Sequence, residues 1–290
     1  KINLEIEAGN PMWLTDSEAP FSPNGSISIK VTEKIVNPGE DALIFHPPVF
    51  ALGIGCERNT DADEIIELID KALDLNCFTK ESIVCVASID LKMDEEAIHL
   101  VASHLGVPAR FFSAETLNLQ TSRLVNPSEI VFKEVGCYGV SEGAALAASG
   151  INGELVIEKQ KSRRATIALA KSDSNINIDF CGQSRGRLNI VGIGPGNSEW
   201  RTPSVTDAII RSSDVIGYHL YLTLLGNLLD GKNCHPSELS EEIDRVEKAL
   251  TLSSKGLEVV LVCSGDAGIY ALATLVFESI HTKNRLDWNR

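Results

Sequence analysis

Residues 187–211 read RLNIVGIGPGNSEWRTPSVTDAIIR, and this stretch decides the fold of the region around it. Its first residues are mostly apolar and run into glycines, which is typical of a buried strand that ends in a tight turn. The Thr-Pro pair at 202–203 then opens an apolar periodic segment, and proline is favoured in the first turn of a helix. A strand, a glycine turn and a helix in this order predict an α/β unit with a parallel sheet.

The same alternation continues after this stretch. Residues 214–218 (DVIGY) predict a short strand, and residues 258–263 (EVVLVC) predict a buried one. The predicted helices cover 220–229, 237–256 and 268–280. Ser237 or Ser240 is expected to cap the second of these helices, and Gly256 to end it.

A similar alternation begins at Val49. The predicted strands cover 49–55, 82–88 and 109–112, and the predicted helices cover 61–76, 94–105, 126–135 and 141–149. Thr60 is expected to cap the first helix and Gly106 to end the second. Two further strands, 154–160 and 165–171, are separated by the basic turn KSRR, which predicts a hairpin.

The sequence therefore predicts two successive α/β domains with mainly parallel sheets and helices on both faces. Residues 47–171 form the first domain and residues 187–290 the second. The segment 172–186 is polar and contains two glycines, so it is interpreted as a linker. Residues 1–46 show turn clusters and strand-like stretches with few helical signals, and are interpreted as a connecting region.

Composition excludes several classes of protein. The chain has 290 residues, a formal charge of −14 and 43% hydrophobic residues, so it is neither disordered nor collagen-like. That charge repels nucleic acid except at a local basic patch. No apolar run is long enough to span a membrane and no signal-peptide pattern opens the sequence, so we expect a cytoplasmic protein. The seven cysteines contain no C-x-x-C, which predicts reduced thiols and no metal site.

Two glycine turns carry the first chemical signal. GIGPG (192–196) follows one strand, and SGDAGIY (264–270) follows another. Glycines at such turns let a ligand approach the backbone closely. Their spacing is neither G-x-G-x-x-G nor a P-loop, which argues against NAD or ATP. Turns that follow parallel strands meet at the carboxyl edge of a sheet, so the pair predicts one shared crevice.

These motifs resemble the N-terminal half of the tetrapyrrole methylases. The G-x-G-P-G turn, the Thr-Pro helix start, DVIGY and SGDAGIY follow that family's order, and they are similar to the precorrin-3B (or cobalt-factor III) C(17)-methyltransferases of cobalamin biosynthesis. The resemblance implies S-adenosylmethionine (SAM) as cofactor and a tetrapyrrole as substrate. It implies cofactor contacts at Gly265, Asp266, Ala267, Gly268, Ile269 and Tyr270. It also implies a substrate-facing floor at Gly192, Gly194, Pro195 and Gly196.

Methyl transfer from a sulfonium depends on in-line placement of a carbon nucleophile more than on an acid or base, which suits a site of backbone turns. Asp214 and Tyr218 either shape this pocket or serve as a helix cap and a core aromatic. Trp200 either stacks on the macrocycle or packs locally. The resemblance also implies a homodimer, and a second methylase domain is expected to lie outside this sequence.

Two further motifs lie in the first domain. GIGCER (53–58) brings a cysteine, an acid and an arginine to a strand end, and GCYGVSEGAAL (136–146) places glycines and Ser-Glu at a helix start. PPVFALGIGCERNT, VGCYGVSEGAALAAS and ATIALAKS resemble the C-terminal domain of the hydrolase that acts on cobalt-precorrin-5A. The resemblance covers about residues 47–171, with 1–46 similar to that enzyme's connecting region. It implies opening of a ring lactone with release of acetaldehyde.

Such a hydrolysis requires an activated water and a stabilised oxyanion. Glu142 is the candidate base, with Ser141 beside it. The backbone amides after Gly139 are the candidate oxyanion site, and Arg58 is the candidate partner of a substrate carboxylate. The structural alternative is that Glu142 only balances the helix dipole and Ser141 only caps the helix.

Other side chains of the first domain leave alternatives open. Cys56 and Cys137 are alternative nucleophiles, although no paired histidine is evident, and each is otherwise a small core residue. The basic residues of the hairpin either meet the carboxylates of a corrinoid or form a solvated tip. They are Lys159, Lys161, Arg163 and Arg164.

The predicted function is a fused enzyme of cobalamin biosynthesis. A lactone hydrolase domain would precede a SAM-dependent methyltransferase that acts at ring carbon 17 with ring contraction. A second hypothesis is a fragment that binds a corrinoid precursor and catalyses nothing, because each active site lacks a domain. A third hypothesis, a nucleotide-binding oxidoreductase, lacks its G-x-G-x-x-G motif.

Overall fold

The structure is a computed structural model that describes residues 1–37, 39–269 and 272–283. The chain forms two compact units, Lys1–Gly182 and Gln183–Arg290, whose boundary lies inside the segment 172–186. Within the described ranges, no helix combines the length and the apolar character that crossing a bilayer requires.

The first unit contains both strands and helices. Its strands are β1 (Ile2–Ile6), β2 (Ile27–Val31), β3 (Ala42–Phe45), β4 (Phe50–Cys56), β5 (Ile83–Ile89), β6 (Ala109–Phe112), β7 (Glu154–Lys161) and β8 (Ala165–Lys171). Its helices are α1 (Met12–Thr15), α2 (Ala62–Asn76), α3 (Glu96–Leu105), α4 (Ala114–Asn118), α5 (Glu129–Val135) and α6 (Val140–Ser149).

The main sheet of the first unit has the order β6-β5-β4-β8-β7. β6, β5 and β4 are parallel, as predicted, whereas β8 and β7 form the predicted hairpin and pair antiparallel. Leu52 of β4 packs in the core cluster with residues of α2 and α3. Its neighbour Ala51 packs in a second cluster with residues of α6. Alternate side chains of a strand point to opposite faces, so helices cover both faces, as predicted.

Helix α6 lies unusually close to the sheet. An added Cβ at Gly53 would lie 1.9 Å from the carbonyl oxygen of Ser141, so only glycine fits at that point of β4. Ala144 and Ala145, in the same helix, are fully buried. The small residues of this helix are therefore explained by its close contact with β4, which fixes the backbone of Ser141 against the middle of that strand.

Residues before the unit boundary pack onto the first unit. Ile176 and Ile178 pack against the core cluster that contains Cys85. Cys181 is buried, and its Sγ lies 3.8 Å from the Sγ of Cys85. The first part of the predicted linker is therefore part of the first unit's core.

The second unit has strands β9 (Arg187–Gly192), β10 (Asp214–Tyr218), β11 (Asn233–Ser237) and β12 (Glu258–Cys263). Its helices are α7 (Pro203–Arg211), α8 (His219–Thr223), α9 (Glu242–Ser254) and α10 (Leu272–Lys283). The sheet order is β11-β10-β12-β9, and these strands all pair in parallel. The carboxyl ends of β9 and β12 therefore lie side by side, which positions the two glycine turns.

Three local predictions were wrong. Neither Ser237 nor Ser240 caps α9, whose N-cap position is Glu241 and has no side-chain cap. The predicted helix 237–256 begins only at Glu242, because the preceding NCHPS segment forms β11 and pairs with β10. The sequence pattern did not predict this strand because it contains Pro236. Proline is nevertheless tolerated on an edge strand, and β11 is at the edge of its sheet. The cap of α2 is Asp61, whose side chain accepts the amide of Asp63, whereas the hydroxyl of Thr60 donates to a carbonyl.

Candidate active sites

The two glycine turns of the second unit contact each other directly. The amide of Gly194 donates to the carbonyl oxygen of Gly265 at 3.2 Å, and the amide of Gly265 donates to that of Gly194 at 2.9 Å. An added Cβ at Gly192 would lie 2.2 Å from the Gly265 carbonyl oxygen, so this close contact requires glycine. The prediction that the two turns converge at one edge is confirmed.

A cavity of about 470 Å³ lies beside the second of these turns. Its walls come from the end of β12 and the turn after it, from the first turn of α9 and the loop before it, and from α8 and α10. It is lined by Tyr221, Leu239, Glu242, Arg245, Cys263, Ser264, Gly265, Asp266, Ile269, Leu272 and Leu275. This cavity is therefore lined by three residues of the predicted cofactor turn, Gly265, Asp266 and Ile269.

The remaining residues of the two predicted turns are placed differently. Ala267 packs partly buried against the core, and Gly268 donates its amide to Oδ1 of Asp266 at 2.7 Å. Tyr270 lies outside the described residues. Gly192, Gly194, Pro195 and Gly196 form the facing turn, but none of them lines the cavity. Their predicted contact with a substrate stays a prediction.

The cofactor turn presents backbone groups to its surroundings. Gly265 has φ of +62°, a conformation that favours glycine, and an added Cβ there would meet nothing within 4 Å. The carboxylate of Asp266 closes the turn through its bond to Gly268. The turn is thus stabilised by its own hydrogen bond. The backbone of Gly265 is open on the side where a Cβ would stand, so a ligand can approach it there.

Tyr218 and Asp214 lie at opposite ends of β10. Tyr218 ends the strand and makes an edge-on contact at 5.2 Å with Tyr221, which lines the cavity. Asp214 begins the strand, where its Oδ1 lies 2.7 Å from Nε2 of His235. Burial raises the pKa of Asp214, but hydrogen bonds from His235 and Ser213 outweigh it, so the pKa is lowered. Asp214 takes neither of its two predicted roles: it does not line the cavity and caps none of the described helices, because its carboxylate links β10 to β11 at the amino-terminal edge of the sheet.

The first unit has its own cavity of about 440 Å³ at the carboxyl end of β4. The hairpin β7–β8, helix α5 and the start of α6 enclose it. Lining side chains that carry chemistry are Cys56, Glu57, Lys92, Ser128, Glu134, Ser141, Lys159, Lys161, Arg163, Arg164 and Thr166. Ser141 and the predicted basic turn therefore meet in one place.

This cavity is cationic although the chain is acidic. Its lining holds the lysines and arginines of the hairpin and Lys92, against the carboxylates of Glu57 and Glu134. Arg164 is anchored: its Nε lies 3.0 Å from Oε2 of Glu57 and its Nη atoms donate to backbone carbonyls. Lys161 and Arg163 are exposed and form no ion pair with any residue that the structure describes. Their charges are therefore available to an anion.

Glu142 lies beneath this cavity and does not line it. Its Oε2 accepts the amides of Val125 and Asn126, and its Oε1 accepts the Asn126 side chain and the Lys159 amide, at 2.8–3.0 Å. Burial raises the pKa of this carboxyl, but the four hydrogen bonds outweigh burial and lower it. A carboxylate with both oxygens so occupied anchors the chain around it, which argues against the predicted role as base. That role stays a prediction.

Arg58 and the cysteines are also placed apart from the predicted chemistry. Arg58 forms an ion pair with Asp94 and donates to the carbonyl oxygen of Leu91 at 2.7 Å, in a neighbouring cleft. Cys56 lines the cavity, but burial raises its pKa to about 11. Cys137 is fully buried, and burial raises its pKa too. Both thiols are protonated at neutral pH and are poor nucleophiles.

Sequence reasoning missed two residues that help to build these cavities. Asn126 fixes Glu142 from a loop sixteen residues away, whereas the sequence pattern predicted a helix over 126–135, and the helix begins only at Glu129. Arg245 lines the second cavity. The sequence pattern of α9 gave no signal for this, because a charged residue is expected on the polar face of an amphipathic helix.

Comparison with known proteins matches each unit to a family. Residues 50–170 match Cobalamin synthesis G C-terminus. Protein CobE of Sinorhizobium sp is 48% identical over 119 residues, which are 41% of this chain and 77% of CobE. The chain belongs to the cobalamin synthesis G family. The order of units is that predicted, because residues 187–287 match the Tetrapyrrole (Corrin/Porphyrin) Methylases.

Two further relatives match the two units separately. Cobalt-precorrin-5A hydrolase of Priestia megaterium is 40% identical over 131 residues, 45% of this chain and 34% of the hydrolase. Precorrin-3B C(17)-methyltransferase of Sinorhizobium sp is 37% identical over 103 residues, 36% of this chain and 40% of the methyltransferase. The chain thus spans less than half the length of each of these enzymes. It joins a domain of the hydrolase type to a domain of the methylase type, both of cobalamin biosynthesis.

Proposed function

We propose that the chain serves cobalamin biosynthesis by binding a carboxylate-rich corrin precursor in its first unit and SAM in its second. The reaction of the second unit would be methylation at ring carbon 17 with ring contraction. The reaction of the first would be opening of the cobalt-precorrin-5A lactone with release of acetaldehyde. The observation that carries the proposal is the paired glycine turns, Gly194 on Gly265, beside a cavity at the carboxyl edge of a parallel sheet.

The residues of the second cavity fit SAM. Gly265 is open on the side where a Cβ would stand, so a ligand can reach the backbone of the turn. Nε of Arg245 is buried in the wall and has no hydrogen-bond partner in the described part of the chain. Tyr221 and Leu272 add apolar surface to the same cavity. When bound, SAM supplies an electrophilic methyl group on its sulfonium.

The chain's own residues would bind and orient in this unit. The carboxylate of Asp266 holds the turn rigid through the Gly268 amide, so the backbone donors stay fixed when a ligand arrives. The Gly194–Gly265 contact fixes the distance between the cofactor turn and the facing GIGPG turn. In-line methyl transfer depends on such fixed placement, and it requires no titrating side chain here.

In the first unit, Lys161 and Arg163 would bind the peripheral carboxylates of the precursor. The start of α6, at Gly139–Ser141, lies in the same cavity, and the first amides of a helix have no partner within it. Because Gly139 provides no side-chain cap, these amides are suited to an oxyanion that forms during lactone opening.

A second candidate function for the first unit is binding without hydrolysis. It is favoured by Glu142, whose oxygens are all occupied, because the cavity then lacks the predicted base. An assay that couples acetaldehyde to its reduction with NADH separates the two functions. Hydrolysis gives acetaldehyde from cobalt-precorrin-5A, whereas binding alone gives precursor affinity without acetaldehyde.

Calorimetric titration of the full chain with SAM tests the cofactor proposal, with NADH as the unrelated ligand. We expect one SAM site and no NADH binding. Gly265→Val should abolish SAM binding, because a side chain both strains the backbone and fills the open side of the turn. Gly231→Val is the matched control: Gly231 also has a positive φ and open surroundings but lies outside the turn. An unchanged affinity in Gly265→Val, or no binding by the unsubstituted chain, contradicts the proposal.

A further inference from the structure

A buried arginine forms part of the wall of the second unit's cavity. Arg245, in the first half of α9, is only 3% exposed. Its Nη2 donates to the carbonyl oxygens of Glu238 at 2.7 Å and Leu239 at 3.4 Å. Its Nε is buried and has no hydrogen-bond partner within residues 1–37, 39–269 and 272–283. Nη1 likewise makes no hydrogen bond with the residues that the structure describes.

This guanidinium has no counter-ion among the residues of the unit that the structure describes. Glu242 and Asp266 line the same cavity, but no carboxylate of the described residues lies within ion-pair distance of Arg245. Burying a charge without a partner is costly, and buried arginines are normally paired. Since the unmet donors adjoin a cavity, the missing partner is best supplied by an anionic group of a ligand. The planar guanidinium matches a carboxylate, which accepts two parallel hydrogen bonds.

We propose that Arg245 binds the carboxylate of SAM's amino-acid moiety and so selects the intact cofactor. The inference rests on the proposed cofactor function. SAM carries one carboxylate and two cations, the ammonium and the sulfonium, and Arg245 repels both cations. The lining carboxylates of Glu242 and Asp266 suit those cations. The charges among the described lining residues, one cation and two carboxylates, thus complement those of SAM.

The place of Arg245 beside the cofactor turn supports this assignment. Cys263 and Ser264, which open the cofactor turn, line the cavity together with Arg245. Arg245 is also tied to the loop before α9 through Glu238 and Leu239, so its side chain is held in place before any ligand binds. A pre-positioned charge binds its partner without a further cost in side-chain entropy.

Decarboxylated SAM provides the test, because it keeps the adenosine, the sulfonium and the amine but lacks the carboxylate. Calorimetry on the full chain should show SAM binding about 10- to 100-fold more tightly than decarboxylated SAM, as expected for a charged hydrogen-bonded contact. In Arg245→Gln this preference should disappear through loss of SAM affinity, with affinity for the decarboxylated ligand kept. Arg245→Lys should keep part of the preference. Arg211→Gln, at an exposed position at the end of α7, is the control and should change neither affinity.

The outcomes separate the inference from the function on which it rests. If the unsubstituted chain binds neither ligand, the cofactor proposal fails. If it binds both ligands equally well, only the role of Arg245 is overturned. A preference for SAM that persists in Arg245→Gln also overturns that role, because another group then binds the carboxylate. If Arg245→Gln fails to fold by circular dichroism, the comparison of the two ligands on the unsubstituted chain, together with Arg245→Lys, decides.

Discussion

In both units the cavity lies at the carboxyl end of a strand of the main sheet, but different kinds of groups line it. The first cavity lies at the end of β4 and is lined by side chains of a hairpin, with lysines and arginines in excess. The second lies at the end of β12 and is built around a backbone turn, with one arginine in its described lining. A ligand with many carboxylates suits the first, and a compact zwitterionic ligand suits the second. The parallel sheet thus determines where a site lies, while the segments after its strands determine what binds.

The largest expected effect concerns the glycines on which both cavities depend. Gly53→Ala should lower the free energy of unfolding of the first unit by about 3 kcal/mol, because its Cβ would collide with the Ser141 carbonyl oxygen. Gly192→Ala should act similarly on the second unit through the Gly265 carbonyl oxygen. Urea unfolding measures both effects. Gly39→Ala, where an added Cβ meets nothing, is the control, and equal stability of all three variants would refute the close-contact explanation.

Glu142→Gln should destabilise the first unit by about 2–3 kcal/mol, because an amide cannot accept all four hydrogen bonds of the carboxylate. The pKa of Glu142 is lowered in the folded chain, so its contribution is complete above the ordinary value of 4.5 and is lost as the pH falls through the folded pKa. The stability difference from the unsubstituted chain should therefore shrink below about pH 4.5. Unfolding curves at pH 7 and pH 3.5 measure it.

Glu129→Gln, in the exposed first turn of α5, is the control for this change and should alter stability by less than about 0.5 kcal/mol. A Glu142→Gln chain of undiminished stability that loses acetaldehyde release would instead restore the predicted base. That result would show that Glu142 acts as a catalytic base and does not only anchor the chain around it.

These contacts show what sequence patterns predict and what they do not. Apolar runs and turn residues gave the strands β4 and β12 and the convergence of the glycine turns, because both follow from local pattern and parallel pairing. The strand β11 was missed, because Pro236 opposes strand formation and only pairing with β10 stabilises it. The environment of Glu142 was missed because its partners come from two segments, 125–126 and 159, that are each at least sixteen residues away along the chain. Long-range contacts of this kind leave no periodic signal.

A smaller effect should distinguish the cavities by charge. Lys161→Glu with Arg163→Glu should weaken binding of uroporphyrin III, a polycarboxylated tetrapyrrole, by about tenfold, and leave SAM affinity unchanged. Both charges are exposed, and salt should weaken the unsubstituted chain's binding while affecting the variant less. Fluorescence titration measures the affinity. Lys71→Glu with Lys80→Glu, at exposed positions outside the cavity, changes the net charge by the same amount and is the control. Equal losses in both double variants would show that net charge alone is responsible.

The smallest effect is expected at Cys56. With a pKa of about 11, its thiol should react with iodoacetamide slowly at pH 7.5 and faster as the pH rises. The exposed Cys77 and Cys234 will react first, so peptide mapping by mass spectrometry must follow Cys56 separately. Cys56→Ser should change uroporphyrin affinity less than twofold. Loss of acetaldehyde release in this variant would instead identify Cys56 as the nucleophile.

Hydrogen–deuterium exchange on the full chain tests most directly that the two cavities bind different ligands. Added SAM should protect amides within 264–269 and leave the first unit unchanged. Added uroporphyrin III should protect amides within 128–141 and 159–166 and leave 264–269 unchanged. Protection of the same unit by both ligands, or by neither, would contradict the division of ligands between the two cavities.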